Sequence, residues 1–396
     1  MTGNMKKLLF LCLLLPLSCH VSPPTTELMP RPEAAAELRS DELALRMFAQ
    51  IAQEQQGNIV FSPAGAEALL RMLKEGAAGQ TRAEMDALPP MGEAGVPTAM
   101  QPKTAQALFL CSDKAELHEG ILPETELHRV AEGSARRDIN RWVSRQTKGR
   151  IPAALSELPP NTRLVPVSAV YLEEKWLHPF GTNKTRENDF TLSSGQRIKV
   201  PMMHKDTAPC LYAEGRDWQA VALFYRRDRR AGAPGCFIGI RPKGEARAFA
   251  RSLTPAKWRQ IRRALRDDSQ HGTGHLTDIS LPRFRTEPVS TDLTPALRAM
   301  GMRAAFSPQT ADFSRLATVP PPDVLSVHKV QQVACVKLNE EGTEAAAATY
   351  APVIGCAAHI PPQATRTIRF DKPFIWAITD LSSNAAPWFM GLTEEP

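Results

Sequence analysis

Val336-Lys-Leu-Asn-Glu-Glu-Gly-Thr-Glu-Ala-Ala-Ala-Ala-Thr349 opens the segment on which the fold turns. A strand-like run, Val333 to Leu338, leads into it, and the next such run begins only at Thr367. Between them Tyr350 to Gln363 continues without pattern. A connection this long inside a compact domain is usually functional or disordered. Alanine is a good helix former, so local propensity alone favours a helix in the first half. The competing reading takes Thr343, Ala345, Ala347 and Thr349 as one face of a strand, small enough to slide between close neighbours.

Working outward, strand follows strand toward the C-terminus: Val333 to Leu338, Thr367 to Phe370, Phe374 to Thr379 and Trp388 to Leu392. Upstream, Leu164 to Leu172 is Val-rich and uncharged, as a strand buried on both faces should be. Phe190 to Met203 reads as a hairpin around Ser194-Gly195. Ala220 to Tyr225, Cys236 to Ile240 and Thr277 to Phe284 are further strands. Helices are expected over Ser40 to Gln53, from Ser62-Pro63 to a stop at Gly76 and Gly79, over Ile139 to Thr147, Ala246 to Leu253, Pro255 to Leu265 and Leu293 to Met300. Residues 88 to 103 look loose. Helices dominate the first third and strands the last, an α+β arrangement without alternating βαβ units.

The chain has 396 residues, 43% hydrophobic and 23% charged, ample for a large core. Its net charge is +6. Part of that sits in two runs, Arg226, Arg227, Arg229 and Arg230, then Lys257, Arg259, Arg262, Arg263 and Arg266. The second has helical spacing. No aromatic residues interleave for base stacking, so a solvated basic face is expected rather than a nucleic-acid site.

Lys6 and Lys7 precede an apolar run, Leu8 to Leu17, of signal-peptide length and too short to span a bilayer. Residues 1–18 are expected to be removed. Leu17-Ser18-Cys19 looks like a bacterial lipobox with Pro16 in place of the usual Leu, which would make Cys19 a lipidated N-terminus; plain secretion is the alternative. Residues 19–37 form a Pro-rich tether. The expected location is extracytoplasmic, secreted or as a cell-surface or outer-membrane lipoprotein.

Beyond Cys12 and Cys19, Cys111, Cys210, Cys236, Cys335 and Cys356 are irregularly spaced, with no Cys-x-x-Cys pair for zinc or redox chemistry. Gly76 to Thr81 lacks the Lys of a phosphate-binding loop, and no Gly-x-Ser-x-Gly elbow exists. His271 and His275 lack a third ligand nearby. No constellation supports an enzyme, and neither a metal nor a cofactor is expected.

From Asn58-Ile-Val-Phe-Ser-Pro63 to the C-terminus the chain resembles the serpins. Gly76-Ala-Ala-Gly-Gln-Thr81, Ile139-Asn-Arg-Trp-Val143, Val167-Ser-Ala-Val-Tyr-Leu172 with Trp176, Val200-Pro-Met-Met203, Leu281-Pro-Arg-Phe284, Asp312-Phe-Ser314, Phe370-Asp-Lys-Pro-Phe374 and Phe389-Met-Gly391 all carry the likeness. The opening stretch resembles the hinge of an inhibitory serpin almost residue for residue. The resemblance covers one domain, residues 38–396. It implies three β-sheets, a five-stranded central sheet A, eight or nine helices and a reactive centre loop over about residues 340–365.

It also implies a mechanism. A protease attacks a loop bond, forms an acyl-enzyme, and is carried along and distorted as the freed loop inserts into sheet A. Glu340, Gly342, Thr343, Ala345, Ala347 and Thr349 would be the hinge. Relatives place the attacked residue seventeenth from the leading Glu, here Glu340, which gives Cys356-Ala357. Registering on Ile360-Pro-Pro362 instead gives Ala358-His359. Cys or Ala at that bond suits elastase-like or subtilisin-like serine proteases, or papain-like cysteine proteases. A monomer is expected.

Two departures stand out. The family's polar clamp on the strands that part would fall on Gly65, Ser168 and Gln332, beside Ser62; His328 is the tempting histidine, but counting back from Gly342 selects Gln332. Pro352 lies in the segment expected to insert, where Pro is a poor strand residue. Trp176 is retained where the loop first enters. The alternative to an inhibitor is a non-inhibitory serpin-fold carrier; a glycan-binding surface protein using the basic runs is weaker.

Overall fold

The uncharged run becomes the strand Leu164–Tyr171, buried at every residue. It is the middle of a five-stranded sheet in the order Val289–Asp292, Gln331–Cys335, Leu164–Tyr171, Lys103–Cys111 and Leu127–Val130. In the computed structural model residues 41–89, 103–123, 126–226, 235–270, 276–286, 288–343, 366–381 and 386–396 are described. A six-stranded sheet runs Ile59–Phe61, Phe389–Thr393, Phe374–Asp380, Gly235–Pro242, Trp218–Phe224 and Leu211–Glu214. A four-stranded sheet runs Arg366–Arg369, Thr277–Pro282, Arg197–Ala208 and Arg186–Thr191. These are the three principal sheets of the expected α+β fold. Two short ladders accompany them, one of which continues the five-stranded sheet upward and is described below.

Seven α-helices lie among the described residues. Helix Glu42–Glu54 buries Leu45, Phe48 and Ile51, the apolar stripe expected from its sequence. Helix Pro63–Gly76 begins at Ser62, whose hydroxyl accepts from the Gly65 N–H at 3.2 Å. Leu69, Leu70 and Leu73 join the main core, where helices pack against the six-stranded sheet. A second core lies between the sheets around Trp176, Phe237 and Trp376. A third lies under helix Ala135–Gln146, which covers the five-stranded sheet with Ile139, Trp142 and Val143.

Three expectations change. Gly79 does not close a helix but opens one, Gly79–Asp86, with φ +51° and its backbone turned over Asp312. Lys103 is not loose but begins the strand Lys103–Cys111, which pairs with Leu164–Tyr171 over eight residue pairs. The basic run on helix Pro255–Gln270 is a solvated face only in part, since Arg263 is exposed but three of its arginines are engaged. Arg259 pairs with the buried Asp41 at 2.8 Å, Arg266 donates to the Leu381 carbonyl at 3.3 Å, and Arg262 is 1% exposed and donates to the Asp380 carbonyl at 2.8 Å. Burial pushes the Arg262 guanidinium down to about 10. Arg262 and Arg266 tie the helix to the end of the strand Phe374–Asp380, and Arg259 ties it to the start of helix Glu42–Glu54.

Cys111, Cys210 and Cys236 are buried free thiols, and Cys335 is half-buried. Among the described residues no group of three His, Cys, Asp or Glu is placed to hold a metal. No described helix is long and apolar enough to cross a membrane. Residues 1–40, His271, His275, and Ala345, Ala347, Thr349, Pro352, Cys356, Ala357, Ala358 and His359 lie outside the described residues.

Candidate functional site

Above the five-stranded sheet its two middle strands separate. The strand ending at Tyr171 continues as Glu174–Lys175, and the one ending at Cys335 continues as Lys337–Leu338. They do not pair with each other there. Gly342–Thr343 sits between them, in the order Phe284–Arg285, Lys337–Leu338, Gly342–Thr343, Glu174–Lys175. Thr343 opposes Leu338 on one side and Glu174 on the other, antiparallel to both. The chain turns back on itself at Asn339 to Glu341 to reach this slot, with Asn339 Oδ1 accepting from the Glu341 and Gly342 N–H groups at 3.0 and 3.1 Å.

The slot explains its residues. A Cβ on Gly342 would lie 2.1 Å from the Glu174 carbonyl oxygen and 2.7 Å from Lys175 Cα, so only glycine lets the strands come this close. Thr343 is 0% exposed. Its Oγ1 lies 2.7 Å from the Tyr225 hydroxyl. Glu340 is held by Thr185, which donates to Oε1 at 2.6 Å, and by Arg283, just before the strand Phe284–Arg285. Burial pushes the Glu340 carboxyl up, but the hydrogen bonds from Arg283 and Thr185 outweigh it and hold its pKa below the usual carboxylate range.

Trp176 forms the floor. It is 2% exposed, and its indole N–H donates to the Asn339 carbonyl at 2.9 Å. Its backbone N–H donates to the Glu341 carbonyl, and the Phe180 N–H to the Glu340 carbonyl, both at 2.8 Å. The Trp176 ring stacks on Tyr225 at 4.7 Å with 8° between planes, and meets Phe237 edge-on at 6.0 Å. Sequence reasoning singled out Trp176, Glu340, Gly342 and Thr343. It missed Tyr225, Arg283 and Thr185, which lie far apart in the chain and carry no local signal.

Below the slot the two middle strands are zipped in parallel over five pairs, Val167 with Gln331 through Tyr171 with Cys335. Ser168 and Gln332 face each other in that ladder. The Gln332 carboxamide grips Ser62 from both sides: Oε1 accepts from the Ser62 N–H at 2.6 Å and Nε2 donates to the Ser62 carbonyl at 2.9 Å. Ser62 Oγ donates to the Trp388 carbonyl at 2.8 Å. Ser168 Oγ is buried with no hydrogen-bond partner. Gly65 makes room for this arrangement, since a Cβ there would come within 2.8 Å of Ser168 Oγ and 2.9 Å of Gln332 Nε2. His328 lies lower, lining a cavity of about 290 Å³ with Leu164, Val165, Asp292 and the segment 155–159. The central zipper is therefore short, with a gap below and a foreign dipeptide above.

The chain matches the family model described as Serpin (serine protease inhibitor) over residues 39–120 and 124–396. An uncharacterized serpin-like protein of Thermococcus kodakarensis is 31% identical over 365 residues, covering 86% of this chain and 81% of that protein. Tengpin, a thermophilic serpin solved in its native state, superposes with a TM-score of 0.74 at 22% identity, covering 91% of this chain and 94% of tengpin. Human thyroxine-binding globulin complexed with its hormone superposes with a TM-score of 0.73 at 22% identity, covering 91% and 98%.

Proposed function

Because the chain belongs to the serpin family, we propose that it is a suicide-substrate inhibitor of serine-type endopeptidases and catalyses nothing itself. The observation that carries this reading is the paired position of Gly342–Thr343, antiparallel between two strands of the central sheet. A strand that extended this pairing downward would have to part the five-pair ladder and the Leu164–Val327 bridge below it. The residues next in line, Ala345, Ala347 and Thr349 at the inward positions, are small enough to follow Thr343. A carrier that had abandoned insertion would have no need for small residues there.

In this reading the protease attacks Cys356-Ala357, with Ala358-His359 as the other register. The serine hydroxyl forms an ester with the residue before the bond, and the amine of the residue after it leaves. The loop, now free at one end, zips into the sheet from Thr343 onward and drags the ester with it. Deacylation then competes with displacement. No Lys or Arg lies from Glu344 to Thr365, so targets with small or apolar primary pockets, elastase-like or subtilisin-like, are favoured over trypsin-like ones. Papain-like cysteine proteases can be trapped by the same insertion through a thioester. The Lys6 to Leu17 pattern supports export, and Cys19 is the proposed site of lipid anchoring.

Incubating the mature domain with elastase, subtilisin, papain and trypsin tests this. The expected result is an SDS-stable complex with at least one of the first three and a released fragment beginning at Ala357. Clean cleavage by all four with no complex would leave the carrier reading instead.

A further inference from the structure

Tyr225 ends the strand Trp218–Phe224 and belongs to none of the segments that the inhibitor reading uses. It is 1% exposed, and an isolated antiparallel bridge ties its backbone to Trp176. The ring is clamped face to face on the Trp176 indole. A ring fixed this way has a fixed hydroxyl, and that hydroxyl points at Thr343 Oγ1, 2.7 Å away. Among the described residues this is the side-chain hydrogen bond of both groups. Burial pushes the Tyr225 phenol far above its usual range, so the hydroxyl stays protonated and available at any physiological pH.

Resting on the inhibitor reading, we propose that Tyr225 is a positioning residue for it: a buried receptor for the first inward hinge side chain that keeps one rung of insertion made before any protease arrives. The two outcomes after acylation are a race between zipping and hydrolysis. The first rung is the costly one in any zipper, because it fixes chain without neighbouring bonds to repay it. Tyr225 removes that step from the race. If the hinge leaves the slot, the Tyr225 hydroxyl is stranded among Trp176, Phe237 and the surrounding apolar core, and an orphaned buried donor shifts such an equilibrium by about tenfold. The same geometry selects a small hydroxyl-bearing side chain at 343. Valine fills the space without the bond, and alanine leaves both a void and an orphan.

The test uses the full mature chain with Tyr225→Phe, Thr343→Val, the double variant and Thr343→Ser. The quantity read is the number of chains consumed per protease trapped, beside the rate at which the loop is attacked. Each of the first two single variants is expected to raise consumption at least threefold while leaving the rate of attack unchanged within about twofold. The double variant should be no worse than either single, because neither hydroxyl is then orphaned, and Thr343→Ser should behave as the native chain. Unchanged consumption in both singles, or multiplied effects in the double, would overturn the proposal. Amide hydrogen exchange at Gly342 and Thr343 in uncleaved protein judges the docking without any protease. Faster exchange in Tyr225→Phe supports the receptor even if no complex ever forms, and unchanged exchange overturns it.

Discussion

Glu340 is a carboxylate brought into the protein against the cost of burial because Arg283 and Thr185 meet it there. Its pKa is held down, so its stabilising contribution is present above the ordinary carboxylate value and is lost as pH falls below about 4. Arg283 is half exposed, which limits the pair to about 1 kcal/mol. Glu340→Gln is therefore expected to lower the thermal midpoint slightly at pH 7 and progressively less as the carboxyl takes up its proton in acid; a difference that stays the same at every acid pH would contradict this. Gly342 makes a stronger prediction. Gly342→Ala drives a methyl into the Glu174 carbonyl, so Gly342–Thr343 cannot stay paired. Amide exchange at Thr343 should rise at least tenfold and SDS-stable complex should fall sharply. Gly342 and Thr343 were legible in the sequence because a close approach demands particular residue types. Tyr225 was not, since a tyrosine at a strand end is ordinary until the chain folds it onto Trp176.

At the scale of elements, one glutamine ties the strand Gln331–Cys335 to the start of helix Pro63–Gly76. Removing the Gln332 carboxamide orphans a buried N–H and a buried carbonyl on Ser62, at about 1–3 kcal/mol each. Gln332→Leu should cost roughly 2–5 kcal/mol by denaturant unfolding. Ser168→Ala removes a hydroxyl that bonds nothing and should change stability by less than about 0.5 kcal/mol. Equal costs for the two would show that the clamp has been assigned to the wrong side chain. Of the neighbouring strand Lys103–Cys111 only Lys103 fell in the stretch read as loose and the rest was given no element, because its first four residues are exposed or half-exposed and follow a Pro- and Gly-rich stretch. Pairing with Leu164–Tyr171 overrides that weak local signal. Helix Gly79–Asp86 escaped for a related reason, burying only Thr81 and Met85. The basic helix was misread because helical spacing shows which charges share a face but not what that face meets. Since Arg259, Arg262 and Arg266 are engaged beneath it, the mature chain should leave immobilised heparin below about 0.3 M salt, few phosphate-like contacts giving a shallow salt slope.

For the molecule as a whole, the uncleaved fold leaves a central sheet with a short zipper, a cavity at its lower end and a single foreign rung above. In the inhibitor reading, inserting a further strand adds about a dozen ladder residues, on the order of 10 kcal/mol of net hydrogen bonding. At roughly 2 °C per kcal/mol for a domain of this size, that is on the order of 20 °C of thermal midpoint. The α+β class was readable from the ordered run of short motifs, because each fixes a local geometry that the rest must accommodate. The strain that the inhibitor reading proposes was readable only as resemblance, since it would reside in pairing that has not yet formed. Cutting the loop near Cys356 with a protease that is not trapped, and comparing thermal unfolding before and after, tests the central claim most directly. The account predicts that the cleaved chain unfolds about 20 °C higher or more; an unchanged or lowered midpoint would show that the hinge does not become a strand.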